Sequence, residues 1–123
     1  MKSKSFFNVI LLTISTAIII TSCYKSKSSY NSSPTSYKIT MKNSVFSPAS
    51  LTVVAGSNVT WMNDDTVIHT VTATDGSFNS GDIAIGSSYS KTFSTAGTIN
   101  YSDTHNTNMT GMLVITGSSG GGY

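Results

Sequence analysis

The chain contains no glutamate and no arginine; every basic residue is a lysine and every acidic one an aspartate. It has one cysteine and two histidines in 123 residues. Each shortage excludes something. With no glutamate, no G-x-S-x-G elbow, no H-E-x-x-H pair and no glycine-rich phosphate loop, nothing in the sequence points to an enzyme. A lone cysteine has no internal disulfide to make and needs another use. Charged residues are only 10% of the chain and form no basic stripe, so a nucleic-acid partner has no electrostatic support. Beyond the leader, no stretch places apolar residues at helical spacing, and no repeat recurs at a fixed period.

What is present begins with that leader. Lys2 and Lys4 precede an apolar run at residues 6–20, FFNVILLTISTAIII. The run is shorter than the roughly 20 apolar residues of a spanning helix. It has the form of a secretion signal. It ends in Ile20-Thr21-Ser22-Cys23, which resembles the bacterial lipobox. That resemblance implies that residues 1–22 are a lipoprotein signal peptide and that Cys23 is diacylated. The product is an exported protein, lipid-anchored to the bacterial cell envelope on its periplasmic or outer surface. Tyr24 is unlike the aspartate used for inner-membrane retention, which favours the outer surface. The alternative is an ordinary cleaved signal with a cysteine nearby by chance. Removing the leader takes away Lys2 and Lys4 and leaves five lysines against five aspartates, so the mature net charge is zero rather than +2.

Residues 23–36 read as the lipidated cysteine and a serine-rich tether, and residues 117–123 (GSSGGGY) as a disordered tail. The fold is left to residues 37–116, and there the signal is β throughout. Tyr37, Ile39 and Met41 alternate with Lys38, Thr40 and Lys42; Val59, Trp61 and Asn63 alternate with Thr60 and Met62. Further β-rich runs cover residues 51–53, 67–73, 89–93, 98–101 and 112–116, separated by Gly, Asn, Asp and Ser. Short strands at regular spacing predict an all-β sandwich or barrel. Trp61 reads as its core aromatic, and Met62 and Met112 as packing residues.

The segment Val59-Thr60-Trp61-Met62-Asn63-Asp64-Asp65, leading to His69-Thr70-Val71, resembles the first ligand loop of cupredoxins of the plastocyanin, amicyanin and pseudoazurin group. The likeness extends upstream through Phe46-Ser47-Pro48 and Leu51 to Gly56. Downstream it takes in Phe78-Asn79-Ser80-Gly81, Gly86-Ser87-Ser88-Tyr89 and Gly97-Thr98-Ile99-Asn100-Tyr101. It implies a Greek-key β-sandwich of about seven or eight strands. It also implies copper binding and electron transfer, with a redox or copper-donor protein as partner. In that family copper sits between two histidines and a cysteine thiolate, with a weak axial methionine. One histidine comes from the early loop. The other ligands come from a late loop of the form Y-x-C-x-x-H-x-x-M-x-G.

Here the late loop reads Tyr101-Ser102-Asp103-Thr104-His105-Asn106-Thr107-Asn108-Met109-Thr110-Gly111. Tyr101, Met109 and Gly111 keep the spacing. Asp103 stands at the cysteine position and Asn106 at the second histidine, with His105 one place early. Cys23 lies outside the domain. The candidate copper ligands are therefore His69, Asp103, His105 and Met109, without a thiolate. Two functions remain open. One is a non-blue copper site for capture or slow redox, since Asp103 is a hard donor suited to Cu(II) or Zn(II). The other is an interaction or structural module that kept the sandwich and lost the metal. In that case His69 is a structural histidine, His105 and Asp103 are solvated loop residues, and Met109 caps the apolar end of the sandwich.

Overall fold

The computed structural model describes residues 34–118. The leader, Cys23, most of the tether and most of the tail lie outside them. The described residues form eight strands: β1 (Ser36–Lys42), β2 (Val45–Ser47), β3 (Ser50–Val54), β4 (Ser57–Asn63), β5 (Thr72–Ala73), β6 (Ser88–Phe93), β7 (Gly97–Ser102) and β8 (Thr110–Thr116). They build two four-stranded sheets, ordered β2-β1-β4-β6 and β3-β8-β7-β5. β1 runs parallel to β4, and β3 parallel to β8; the other pairs are antiparallel. The all-β sandwich and its strand number agree with the sequence reading.

The period of two decides which side chains meet between the sheets. β4 buries Ser57, Val59, Trp61 and Asn63 and turns Asn58, Thr60 and Met62 outward. β8 buries Gly111, Leu113 and Ile115 and turns Met112 outward. Met62 and Met112 are therefore half-buried on the outer faces, beside the core rather than in it. Trp61 is the centre of the core. Its ring lies 5.6–6.2 Å from those of Phe78, Tyr89, Phe93 and Tyr101. Each buried aromatic ring contributes on the order of 4–6 kcal/mol as an upper bound.

Tyr101 needs a special neighbour to enter this cluster. It pairs with Gly111 across β7 and β8. A Cβ on Gly111 would overlap the Tyr101 ring and its hydroxyl. The missing side chain lets the ring lie flat against β8 and meet Phe46 edge-on at 4.9 Å.

The β-rich run at residues 67–73 is extended only in part. Thr72 and Ala73 form β5, and His69 makes a single bridge to Ile83. Val67 and Ile68 stay about half exposed. Asn63, fully buried at the end of β4, holds the start of the run. Its Nδ2 donates to the carbonyls of Val67 (2.8 Å) and Ile83 (2.9 Å), and its Oδ1 accepts from Asp65 N (3.0 Å). The Val67 carbonyl is thus satisfied by a side chain rather than by a ladder partner.

Candidate functional site

At this end of the sandwich the β4–β5 loop meets the β7–β8 loop. His69 is positioned by two backbone bonds with Ile83, His69 N to Ile83 O (3.3 Å) and Ile83 N to His69 O (2.8 Å). Its ring is 1% exposed. Asp103 follows β7 directly and is fully buried. Its backbone N–H donates to Met109 O at 3.0 Å, which closes the late loop on itself.

The two side chains face each other. His69 Nδ1 lies 2.8 Å from Asp103 Oδ2. The other ring nitrogen, Nε2, lies 3.0 Å from Asp65 Oδ2. Asp103 Oδ1 accepts from Thr70 N (2.9 Å), Thr70 Oγ1 (3.0 Å) and His105 N (3.0 Å). Thr70 Oγ1 in turn accepts from Thr104 N at 2.7 Å. Asp65 Oδ2 also accepts from Ser44 N in the β1–β2 turn (2.8 Å), and its Oδ1 from Thr66 N (2.8 Å). Every carboxylate oxygen of the group is occupied.

The electrostatics follow from these partners. Burial opposes charge on His69, but the hydrogen bonds to Asp103 and Asp65 outweigh it and raise the imidazole above its ordinary 6.5. Burial likewise opposes charge on Asp103. The donors His69, His105 N and Thr70 reverse this and hold the carboxyl below its ordinary range. The amides of Ser44 and Thr66, then His69, push Asp65 down to about 2. All three shifts favour two carboxylates around an imidazolium.

The other candidates divide. Met109 is 1% exposed in the same loop. His105 points away: its Nε2 bonds Asp82 Oδ1 at 2.7 Å, with both side chains more than half exposed. Asn106 serves the loop itself, its carbonyl accepting from Met109 N and its Oδ1 from Asn108 N. Among the described residues, no group of three or more His, Cys, Asp or Glu side chains is arranged to hold a metal ion. Asp65, Thr70 and Asn63 were not among the sequence candidates. Asp65 lies inside the Trp61–His69 segment, four residues before His69, and only that proximity hinted at its part.

A family model described as the cupredoxin-like domain matches residues 12–115. No curated protein matches the chain in sequence. Among solved structures, a purple cupredoxin from Nitrosopumilus maritimus is similar at a TM-score of 0.61 with 24% identity, covering 65% of this chain and 99% of that one. A point mutant of amicyanin in a reduced Cu(I) form at pH 4 is similar at 0.62 with 26% identity, covering 66% and 82%. A second, oxidised point mutant of amicyanin is similar at 0.62 with 25% identity, covering 65% and 81%.

Proposed function

Because the chain belongs to the cupredoxin-like family, a family of copper-binding electron-transfer domains, we propose that it is an envelope-anchored member whose blue copper centre has given way to a metal-free ion cluster. In this reading it serves as a non-enzymatic interaction or structural module. One observation carries the reading: both ring nitrogens of His69 face carboxylate oxygens, Asp103 at 2.8 Å and Asp65 at 3.0 Å.

The donors present do not fit a blue copper centre. Such a centre needs a thiolate and two imidazoles. Residues 24–123 contain no cysteine. Asp103 stands in the thiolate's place with both oxygens engaged, and the only other imidazole, on His105, is bonded to Asp82. Anchoring is supported by the leader and by the Ile20-Thr21-Ser22-Cys23 sequence.

A second reading, a non-blue Cu(II) site, draws on the same contact. His69 and Asp103 converge, and buried Met109 closes the same loop. Titration of the full chain in detergent with Cu(II), followed by calorimetry and absorbance, separates the two. The expected result is no intense blue band and no tight binding. Tight binding abolished by His69→Ala and untouched by Met62→Ala establishes the second reading instead. It would make a redox or copper-donor protein the expected partner. A strong blue band defeats both.

A further inference from the structure

We propose that the free edge of β3, Ser50–Val54, is a docking strand for a second copy of this chain, which adds antiparallel about a twofold axis at Thr52. The surface lies on the flank of the sandwich and depends neither on the loop site nor on any metal there.

Among the described residues β3 pairs with β8 alone. Two flanking bonds set which of its backbone groups are taken: Met112 N donates to Ala49 O and Ala55 N to Thr116 O, both at 2.8 Å. In a parallel ladder, alternate residues turn their N–H and C=O to the same neighbour. Leu51 and Val53 therefore face β8, while Ser50, Thr52 and Val54 turn theirs out of the sheet edge. The side chains of those three are exposed, and Leu51 between them is only half-buried.

Open edges invite strand addition, and folded domains usually block them with charge, proline or brevity. The other edges of this sandwich are blocked. β2 and β5 have three and two residues. β6 turns Lys91 toward the inner face, its Nζ 5.8 Å from the ring centres of Phe78 and Phe93. β3 has no such device. No charged residue occurs from Asn43 to Asn63, and Pro48 stops short of the strand.

The lack of charge is what selects a second copy. Twofold pairing sets Thr52 against the partner's Thr52, Ser50 against the partner's Val54 and Leu51 against the partner's Val53. A charge near the middle of the strand would meet its own copy across the axis or on the diagonal; here there is none. The pairing also covers Leu51, which already packs against the core on its inner side. A strand of five residues buries less than the roughly 1,000 Å² of a stable interface, so the pair is weak and concentration-dependent.

Hydrogen exchange on the full chain in detergent, with micelles in excess, tests the pairing. In dilute protein the Ser50, Thr52 and Val54 amides should exchange freely while those of Leu51 and Val53 stay protected. Raising the protein toward about millimolar should slow the first three at least roughly tenfold, and sedimentation should then show dimers. Thr52→Lys alters an exposed side chain and should abolish both effects. Thr52→Asp should do the same, and an equimolar mixture of the two variants should restore them. Thr98→Lys, at an exposed position of β7 away from the edge, should leave both effects in place. Monomers at every concentration, or dimers that Thr52→Lys leaves intact, overturn the proposal. Protection of the three amides that is unchanged by dilution also overturns it, because a segment of the same chain then covers the edge. Should Thr52→Lys not fold, the exchange pattern of the wild type decides alone.

Discussion

His69 and Asp103 are 34 residues apart in the chain and 2.8 Å apart in the domain, imidazole Nδ1 against carboxylate Oδ2, both out of contact with water. In the family pattern a histidine and a cysteine stand at these two positions with copper between them. Here acid and base meet directly, so the charge of the site rests on the protein's own titrating groups.

That charge makes stability depend on pH in a definite window. Asp65, at about 2, and Asp103, also lowered, contribute fully above the ordinary carboxylate value of 3.8; the contribution disappears as pH falls through their folded values. His69, raised above 6.5, contributes fully below 6.5 and loses its contribution as pH rises through its folded value. The cluster therefore stabilises most between about pH 4 and 6.5. Urea midpoints measured from pH 2 to 9 should show the gap between wild type and Asp103→Asn widest there. A gap that keeps growing above pH 8 contradicts the assignment.

The two histidines should behave very differently. His69→Ala leaves Asp103 buried without its cation and should cost about 3–5 kcal/mol. His105→Ala removes a surface pair, with side chains 52% and 64% exposed, and should stay within about 1 kcal/mol. Denaturant unfolding of both variants measures this, and equal losses would show that burial does not set the difference.

Gly111→Ala should destabilise by about 1–3 kcal/mol, because the new methyl meets the rigid Tyr101 ring in a packed core. Gly117→Ala, with open space around its would-be Cβ, is the control. A neutral Gly111→Ala would mean that the Tyr101 ring has room to retreat.

Asp103→Cys together with Asn106→His tests the register of the late loop by repair. With His69 and Met109 in place, the double variant should turn blue with Cu(II), more strongly than either single variant, as thiolate coordination requires. If Asp103→Cys alone gives the full band, His105 leaves Asp82 for the metal and the register at Asn106 is wrong.

Growing cells supplied with radioactive fatty acid should label the wild type and not Cys23→Ala. Label retained by that variant removes the case for an anchor at Cys23.

The strands were legible because alternation is a local signal. Tyr37, Ile39 and Met41, like Val59, Trp61 and Asn63, turn inward as their spacing predicts. The partial strand at residues 67–73 was not, because the side-chain amide of Asn63, distant from ladder patterning, takes the Val67 carbonyl at its start. In the site, the positions of His69 and Asp103 could be read from a motif, but not that they bond to each other. Nor did the sequence reveal that His105 turns outward to Asp82 or that Asp65 supplies the second carboxylate. Each of those facts depends on loops that touch only in three dimensions.

The parallel pairing of β3 with β8 bears on timing. β3 has no other neighbour in its sheet, and its first residue, Ser50, aligns with Met112 near the end of the chain. Such distant pairing slows folding, since a long stretch of chain must be closed before any bond rewards it. Until β8 has been synthesised, half of the sandwich lacks an edge strand, and the chain stays open and threadable. Under the proposed export, such late closure would let the polypeptide pass a narrow channel before its last strand locks it shut.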